Sequence, residues 1–168
     1  NLSPNSLRHP ELPLWVKDGL RAFSLSPNSL TLEIVENALI QDADNARRIF
    51  TDLRRLGVKV SLDDFGIGYS SLGYINQYPI DNLKIDKSFV NHITESKEVD
   101  AIVRAIITLA NELGFNVIAE GIETQAQMDF LQKLRCHYGQ GFLFSKAVDP
   151  IEIPALLQKF MRKTFSPT

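Results

Sequence analysis

A chain of 168 residues, 44% hydrophobic and 23% charged, has the size and balance of one globular domain with a real core, which excludes a disordered tail. Its 18 basic and 20 acidic residues leave a net charge of -2, so no global field draws it onto DNA or an anionic bilayer, and any phosphate ligand must be held locally. The single cysteine, Cys136, excludes an internal disulfide and speaks against a thiolate metal cluster.

No run of about 18 apolar residues and no basic leader with an apolar stretch occurs, so no membrane contact by this segment is expected and the reading is cytoplasmic, or the cytoplasmic portion of a larger protein. The opening on Asn1-Leu2-Ser3, without Met, reads as a piece of something longer.

Asn1 to Ser3 has the character of a strand tail. From Thr31 onward, short apolar, β-branched runs alternate with stretches of helical period, the sequence form of repeated βα units and a parallel sheet. Strands are predicted at Leu30 to Val35, Lys59 to Asp63, Asn82 to Asp86, Asn116 to Ala119 and Gly141 to Phe144. Their cores are apolar on both sides, as when helices cover one face and a packed interior fills the other.

Between them, Asp42 to Leu56 puts Ala46, Ile49, Phe50, Leu53 and Leu56 on one face and Arg47, Arg48, Arg54 and Arg55 outside, and Gly57 ends the helix. Val99 to Leu113 repeats the pattern with Ile102, Val103, Ile106, Leu109, Ala110 and Leu113, with Gly114 at the left-handed C-terminal position. Thr124 with Gln127 has capping-box spacing, and Asp149-Pro150 with Glu152 marks another helix start. No repeat or linker divides the chain, so residues 1–168 form one domain. Five strands plus a stub, each followed by a helix, predict a (β/α)₈ TIM-type barrel with about two units absent from the front, about six of eight strands being present, rather than an open doubly wound sheet.

The barrel is favoured by where the polar residues fall. Strand ends carry Asn1, Glu33 with Glu36, Asp63 with Asp64, Lys84 with Asp86, Glu120 with Glu123, and Gln140. In a barrel these ends converge on one rim, where barrel enzymes keep their active sites. Any one acid there could cap the following helix; all of them together point to chemistry.

The strongest local signal is Asp63-Asp64-Phe65-Gly66-Ile67-Gly68-Tyr69-Ser70-Ser71. Two adjacent carboxylates leaving a buried strand repel each other, and hard divalent cations are a natural way to keep both ionised. Oxygen donors favour Mg²⁺ or Mn²⁺ over zinc. Gly66 and Gly68 let the loop pass close to a ligand. Lys84, a lysine between apolar strand residues, must meet carboxylate or phosphate. His9, His92 and His137 have no metal spacing, Ser70 and Ser71 are better helix caps than nucleophiles, and a glycosidase-type carboxylate pair suits an Asp-Asp-plus-Lys set less well than metal and phosphate.

With Asn1-Leu2-Ser3, Leu32-Glu33-Ile34-Val35-Glu36, Asp63-Asp64-Phe65-Gly66 through Ser71-Leu72, Leu83-Lys84-Ile85-Asp86, Ala119-Glu120-Gly121-Ile122-Glu123-Thr124 and Gln140-Gly141-Phe142 in order, the chain resembles the EAL domain, the bacterial phosphodiesterase domain that cuts cyclic di-GMP to the linear dinucleotide. The resemblance implies two Mg²⁺ or Mn²⁺ ions per site. Asn1, Glu33 and Asp63 would bind one, and Asp63 and Asp64 would serve the second. It makes Glu120 a further acidic ligand or the base near the attacking water, has Lys84 orient that water or the scissile phosphate, has Gln140 complete the water and metal shell, and has Glu36 anchor the loop after Asp64. It also implies a homodimer and a parent carrying sensory or GGDEF domains.

Three departures stand out. The namesake Glu-Ala-Leu motif, which carries a metal ligand, is absent, as expected if the family's first strands precede Asn1, and the isolated fragment is then expected to be impaired. Ile67 stands where the family usually has Thr, and Ser145-Lys146-Ala147 replaces the usual Ser-Arg-Pro. The competing expectation is a receptor that binds cyclic di-GMP without cutting it, or a partner module that has lost both functions.

Overall fold

The structure, a computed structural model, describes residues 1–36, 38–39, 42–66 and 75–164, the side chains of residues 159 and 161–164 excepted. Among the described residues five strands, β1 (Thr31–Val35), β2 (Lys59–Phe65), β3 (Asn82–Ile85), β4 (Asn116–Ala119) and β5 (Tyr138–Gly139), form one sheet in the order β1-β2-β3-β4-β5. All four pairings are parallel. Leu2 adds a parallel bridge to Ile34, so the predicted stub at Asn1 to Ser3 lies beside β1. Spatial order follows chain order without reversal, which is how a barrel winds; a doubly wound sheet turns back at a switch point.

Helices α1 (Pro4–Leu7), α2 (Leu12–Ala22), α3 (Ala43–Leu56), α4 (Lys87–Val90), α5 (Lys97–Glu112), α6 (Gln125–Lys133) and α7 (Ile153–Thr164) occupy the connections and the C-terminal stretch. Most of their boundaries follow the punctuation in the sequence. The Asp42 carboxylate accepts the Asn45 N–H at the start of α3, and Gly57 closes it in the left-handed region at φ 89°. Ala46, Ile49, Phe50 and Leu53 are buried, a stripe in which each large aliphatic or aromatic side chain removed from water contributes about 1.5–3 kcal/mol. In α6 the Thr124 and Gln127 side chains satisfy each other's backbone N–H groups, the complete capping box. Asp149 accepts the Ile151 N–H and opens a 3₁₀ turn over Pro150–Glu152 that runs into α7. Helix α2, which no sequence signal above marked, begins at Leu12-Pro13 and buries Leu12, Pro13 and Leu20.

Two expectations are corrected. The fifth strand is Tyr138–Gly139, not Gly141 to Phe144. The Phe142-Leu143-Phe144 run turns instead, with the Leu143 N–H bonded to Ile122 O at 2.9 Å and the Phe144 N–H to Gly141 O at 3.1 Å. Ile102 is 45% exposed, because the buried stripe of α5 is centred on Val103, Ile106, Ile107 and Ala110 and leaves Ile102 on its flank. Among the described residues no helix is long and apolar enough to cross a membrane.

Candidate active site

The C-terminal ends of the strands form one rim. Register fixes its centre: Glu33 pairs with Ser61 across β1 and β2, and Lys84 with Ile118 across β3 and β4. Between β2 and β3 the register slips, Leu62 facing Leu83 while Phe65 faces Ile85, so Asp63 and Asp64 together oppose Lys84. This is a bulge, the device that re-aims side chains at sheet rims. The second bulged residue, Asp64, takes φ 56°, a left-handed conformation that Asp tolerates better than most residues. Gly66 follows at φ 95°, where a Cβ would lie 3.1 Å from Phe89 Cε2.

Lys84 is only 4% exposed. Its Nζ lies 2.9 Å from Glu33 Oε1, 3.0 Å from Asp63 Oδ1 and 2.8 Å from Glu120 Oε1. An ammonium has three N–H donors, so each is used on one carboxylate. Burial alone would lower the Lys84 pKa, but the hydrogen bonds to Glu120, Glu33 and Asp63 outweigh it and hold the amine well above its ordinary value, fully charged. The sequence requirement that Lys84 meet negative charge is met here by carboxylates.

Asp64 stands one residue beyond, exposed at the rim. Its carboxyl is raised above the ordinary range, first by the desolvation it does suffer and then by repulsion from Asp63 and Asp86, against the smaller pull of Lys84 and Lys87. Glu120 is positioned by its N–H, bonded to Ile85 O at 3.1 Å. Gln140 follows β5 directly, its N–H bonded to Ala119 O at 2.8 Å and its carbonyl accepting from Ile122, with its side chain exposed. Asn1 is exposed next to Leu2, whose N–H bonds Glu33 O at 2.8 Å. Glu36 is buried, and its N–H reaches Asp63 O at 3.2 Å, tying the ends of β1 and β2 together.

Thus Glu33, Asp63, Glu120 and Lys84 are brought into direct contact, while the backbone puts Asp64, Glu36 and Gln140 at the neighbouring strand ends and Asn1 beside β1. Asp86 turns out to be a cap: its carboxylate accepts the Ser88 N–H at 2.8 Å at the start of α4. Glu123 donates its N–H to Gln127 in the capping box. His137 accepts the Val117 N–H at Nδ1, 3.1 Å away, a structural task. Lys146 lies with its Nζ 5.6 Å from the centre of the Phe142 ring. Ile67, Gly68, Ser70, Ser71 and Leu72 lie outside the described residues. Two features went unmarked in the sequence: the bulge, and the polar layer of Ser61, Asn82 and Asn116 that the register aligns beneath the acids. Asn116 donates to Asn82 Oδ1 at 3.2 Å, and the buried Ser61 Oγ has no hydrogen-bond partner among the described residues.

Among the described residues no three acidic, histidine or cysteine side chains are gathered closely enough to hold a metal ion as they stand; the acids surround the ammonium instead. Their chemistry nevertheless fits Mg²⁺ or Mn²⁺. Glu33, Asp63 and Glu120 offer hard carboxylate oxygens that already converge on one cation, and Asp64, raised first by desolvation and then by repulsion from Asp63 and Asp86, adds a further carboxylate beside them.

The EAL domain family model matches residues 1–147. The bifunctional diguanylate cyclase/cyclic di-GMP phosphodiesterase MucR of Pseudomonas aeruginosa is 42% identical over 146 residues, 87% of this chain and 21% of MucR. The chain spans about a fifth of the length of the curated relatives it matches. Among solved structures, the EAL domain of Mycobacterium smegmatis DcpA superposes with a TM-score of 0.88 at 39% identity, covering 95% of this chain and 71% of that one. The manganese and cyclic di-GMP complex of Klebsiella pneumoniae BlrP1 gives 0.80 at 37% identity, covering 87% and 38%. The winding of the sheet is that of the TIM-type barrel of these structures. With the family model over residues 1–147 and identities of this size, the chain belongs to the EAL domain family.

Proposed function

We propose that this chain carries the catalytic rim of a metal-dependent cyclic di-GMP phosphodiesterase, cutting the cyclic dinucleotide to linear pGpG. The observation that carries this reading is the convergence of Glu33, Asp63 and Glu120, from three separate strand ends, to within 3.0 Å of Lys84 Nζ. A structural role alone would need one counter-charge for one lysine; three acids leave a surplus that a phosphate-processing site uses through cations.

In this reading Asn1, Glu33 and Asp63 hold one ion, and Asp63 and Asp64 the second, both Mg²⁺ or Mn²⁺. When bound, such a pair supplies an activated water and neutralises phosphate charge. The protein's own groups do the rest. Glu120, held at one oxygen by Lys84, has its other oxygen available to accept a proton from the attacking water. As water adds to phosphorus in line, the bond from phosphorus to the ribose oxygen breaks, and that oxygen leaves as a hydroxyl by taking up a proton from solvent. Because all three Lys84 N–H groups are engaged, Lys84 acts on the water by fixing these carboxylates. Gln140, at the end of β5, offers an amide to the water or a phosphate oxygen, and Glu36 holds the start of the rim at Asp63.

The test is hydrolysis of cyclic di-GMP with Mn²⁺ or Mg²⁺ by this chain, by this chain extended with the family's Glu-Ala-Leu strand, and by Asp63→Asn in the extended chain. Linear dinucleotide formed by the extended chain and lost, by a factor of about 10² or more, in its variant supports the reading. Dinucleotide binding by the extended chain with no product under either metal would instead make the rim a receptor site.

A further inference from the structure

Lys84 occupies the point at which a metal would gather the acids. It lies on β3, between the strand ends that carry Glu33 and Asp63 on one side and Glu120 on the other. Its three contacts, at 2.8 to 3.0 Å, exhaust its donors, and its side chain is 5% exposed. Without it, three carboxylates would face one another across a partly desolvated space with no compensating charge.

We propose that Lys84 is a positioning residue: an internal counter-cation that assembles Glu33, Asp63 and Glu120 before metal arrives, and sets metal affinity by competing for the same oxygens. This rests on Glu33 and Asp63 being metal ligands, as read above. Magnesium requires oxygens at about 2.0–2.1 Å, with manganese similarly drawn to hard oxygen donors, whereas these oxygens sit at ammonium distance, so loading must draw them inward from Lys84 or share them with it. A divalent ion brought onto these carboxylates also meets the positive charge of Lys84, which weakens its binding. The site is thereby kept assembled in the metal-free state at the cost of part of its affinity.

The experiment compares the parent chain with Lys84→Gln, which keeps N–H donors but no charge, Lys84→Met, which keeps neither, and Lys84→Arg, which keeps both. Unfolding is followed in EDTA, and Mn²⁺ binding by calorimetry. Gln and Met variants should melt below the parent in EDTA, Met lowest. Each should bind Mn²⁺ about tenfold or more tightly, with a larger Mn²⁺-induced rise in melting temperature, while Arg stays near the parent. Should Met fail to fold in EDTA, the Gln variant carries the affinity comparison. Equal or weaker Mn²⁺ binding by the uncharged variants, with the parent binding, overturns the competition while leaving the ligand assignment intact. No Mn²⁺ binding by any of the four proteins removes the ligand assignment and the competition with it.

Discussion

Asp64 donates its backbone N–H to the carboxylate of Asp63, its own neighbour, at 3.1 Å. The contact is possible because Asp64 is in the left-handed region and shares with Asp63 a bulge opposite Lys84. Two adjacent acids are therefore aimed at one rim without the alternation that a regular strand would impose.

This geometry predicts opposite responses of stability and activity at Asp64. Its raised pKa means that the ionised carboxylate is disfavoured in the folded chain, first by desolvation and then by Asp63 and Asp86, so above that pKa ionisation works against folding. Asp64→Asn keeps a residue that tolerates positive φ and removes the charge. The variant should melt above the parent at pH 7 in EDTA and should lose Mn²⁺-dependent hydrolysis. Asp64→Val, β-branched in the same conformation, should lose about 1–2 kcal/mol. A lower melting temperature for the Asn variant would mean that the like charges cost the fold nothing.

Gly141 and Gly139 flank Gln140 and should respond differently to the same methyl group. A Cβ on Gly141 would fall onto the backbone of Ile122, which is itself bonded to Gln140 and Leu143 and has no room to retreat. A Cβ on Gly139 would meet the Ile122 Cδ1 atom at 2.6 Å, the end of a side chain that can rotate. Gly141→Ala should cost about 1–3 kcal/mol in urea unfolding and displace Gln140, lowering hydrolysis, whereas Gly139→Ala should cost less. Equal losses would place the constraint in β5 itself rather than in the Gly141 and Ile122 contact.

The strands from Thr31 to Ala119 were legible because each is a short apolar run ending in a charged or polar residue, and Lys84 because a lysine inside such a run needs an anion. What composition could not convey was convergence. Glu33, Asp63 and Glu120 are separated by tens of residues, and only parallel register brings their oxygens onto one nitrogen. The bulge was hidden because two acids at a strand end look the same whether the strand simply stops or slips by one residue. Phe142 to Phe144 misled for the converse reason: the residues suit a strand, but Gly141 lies so close to Ile122 that the chain is turned aside. Ile102 shows the limit of helical period, which locates a stripe to within about one residue and so misplaces its flank.

The capping box of α6 holds the segment that follows Glu120. Thr124 Oγ1 accepts the Gln127 N–H at 3.3 Å, while Gln127 Oε1 accepts the N–H groups of Glu123 and Thr124 at 2.8 and 2.9 Å. Gln127 thus serves two donors and is buried, and Thr124 serves one and is exposed. Thr124→Ala should cost about 1 kcal/mol, and Gln127→Ala more, since it strands two N–H groups beside the rim. Urea midpoints rank the two; the reverse order would show that the hydroxyl carries the cap.

Cys136 provides a stability change at alkaline pH that belongs to one group. Burial pushes its thiol from 9.0 up to about 11, despite hydrogen bonds from backbone groups around Tyr138 that favour the thiolate. The protonated thiol donates to Tyr138 O at 3.4 Å and Val117 O at 3.7 Å, contacts that a thiolate cannot make. In the unfolded chain the thiol loses its proton near pH 9, while the folded chain keeps it until about 11. Between these values the unfolded state binds fewer protons, so stability falls as pH rises, and below pH 9 the group contributes no slope. Two pH units correspond to at most about 2–3 kcal/mol, less for a side chain that is only part-buried. Other groups titrate in the same window, so the quantity to measure is the difference between parent and Cys136→Ala. Urea midpoints of the two should run parallel up to pH 9 and converge between pH 9 and 11, the parent losing more. Curves that stay parallel to pH 11 would show that the thiolate is as well solvated in the folded chain as in the unfolded one.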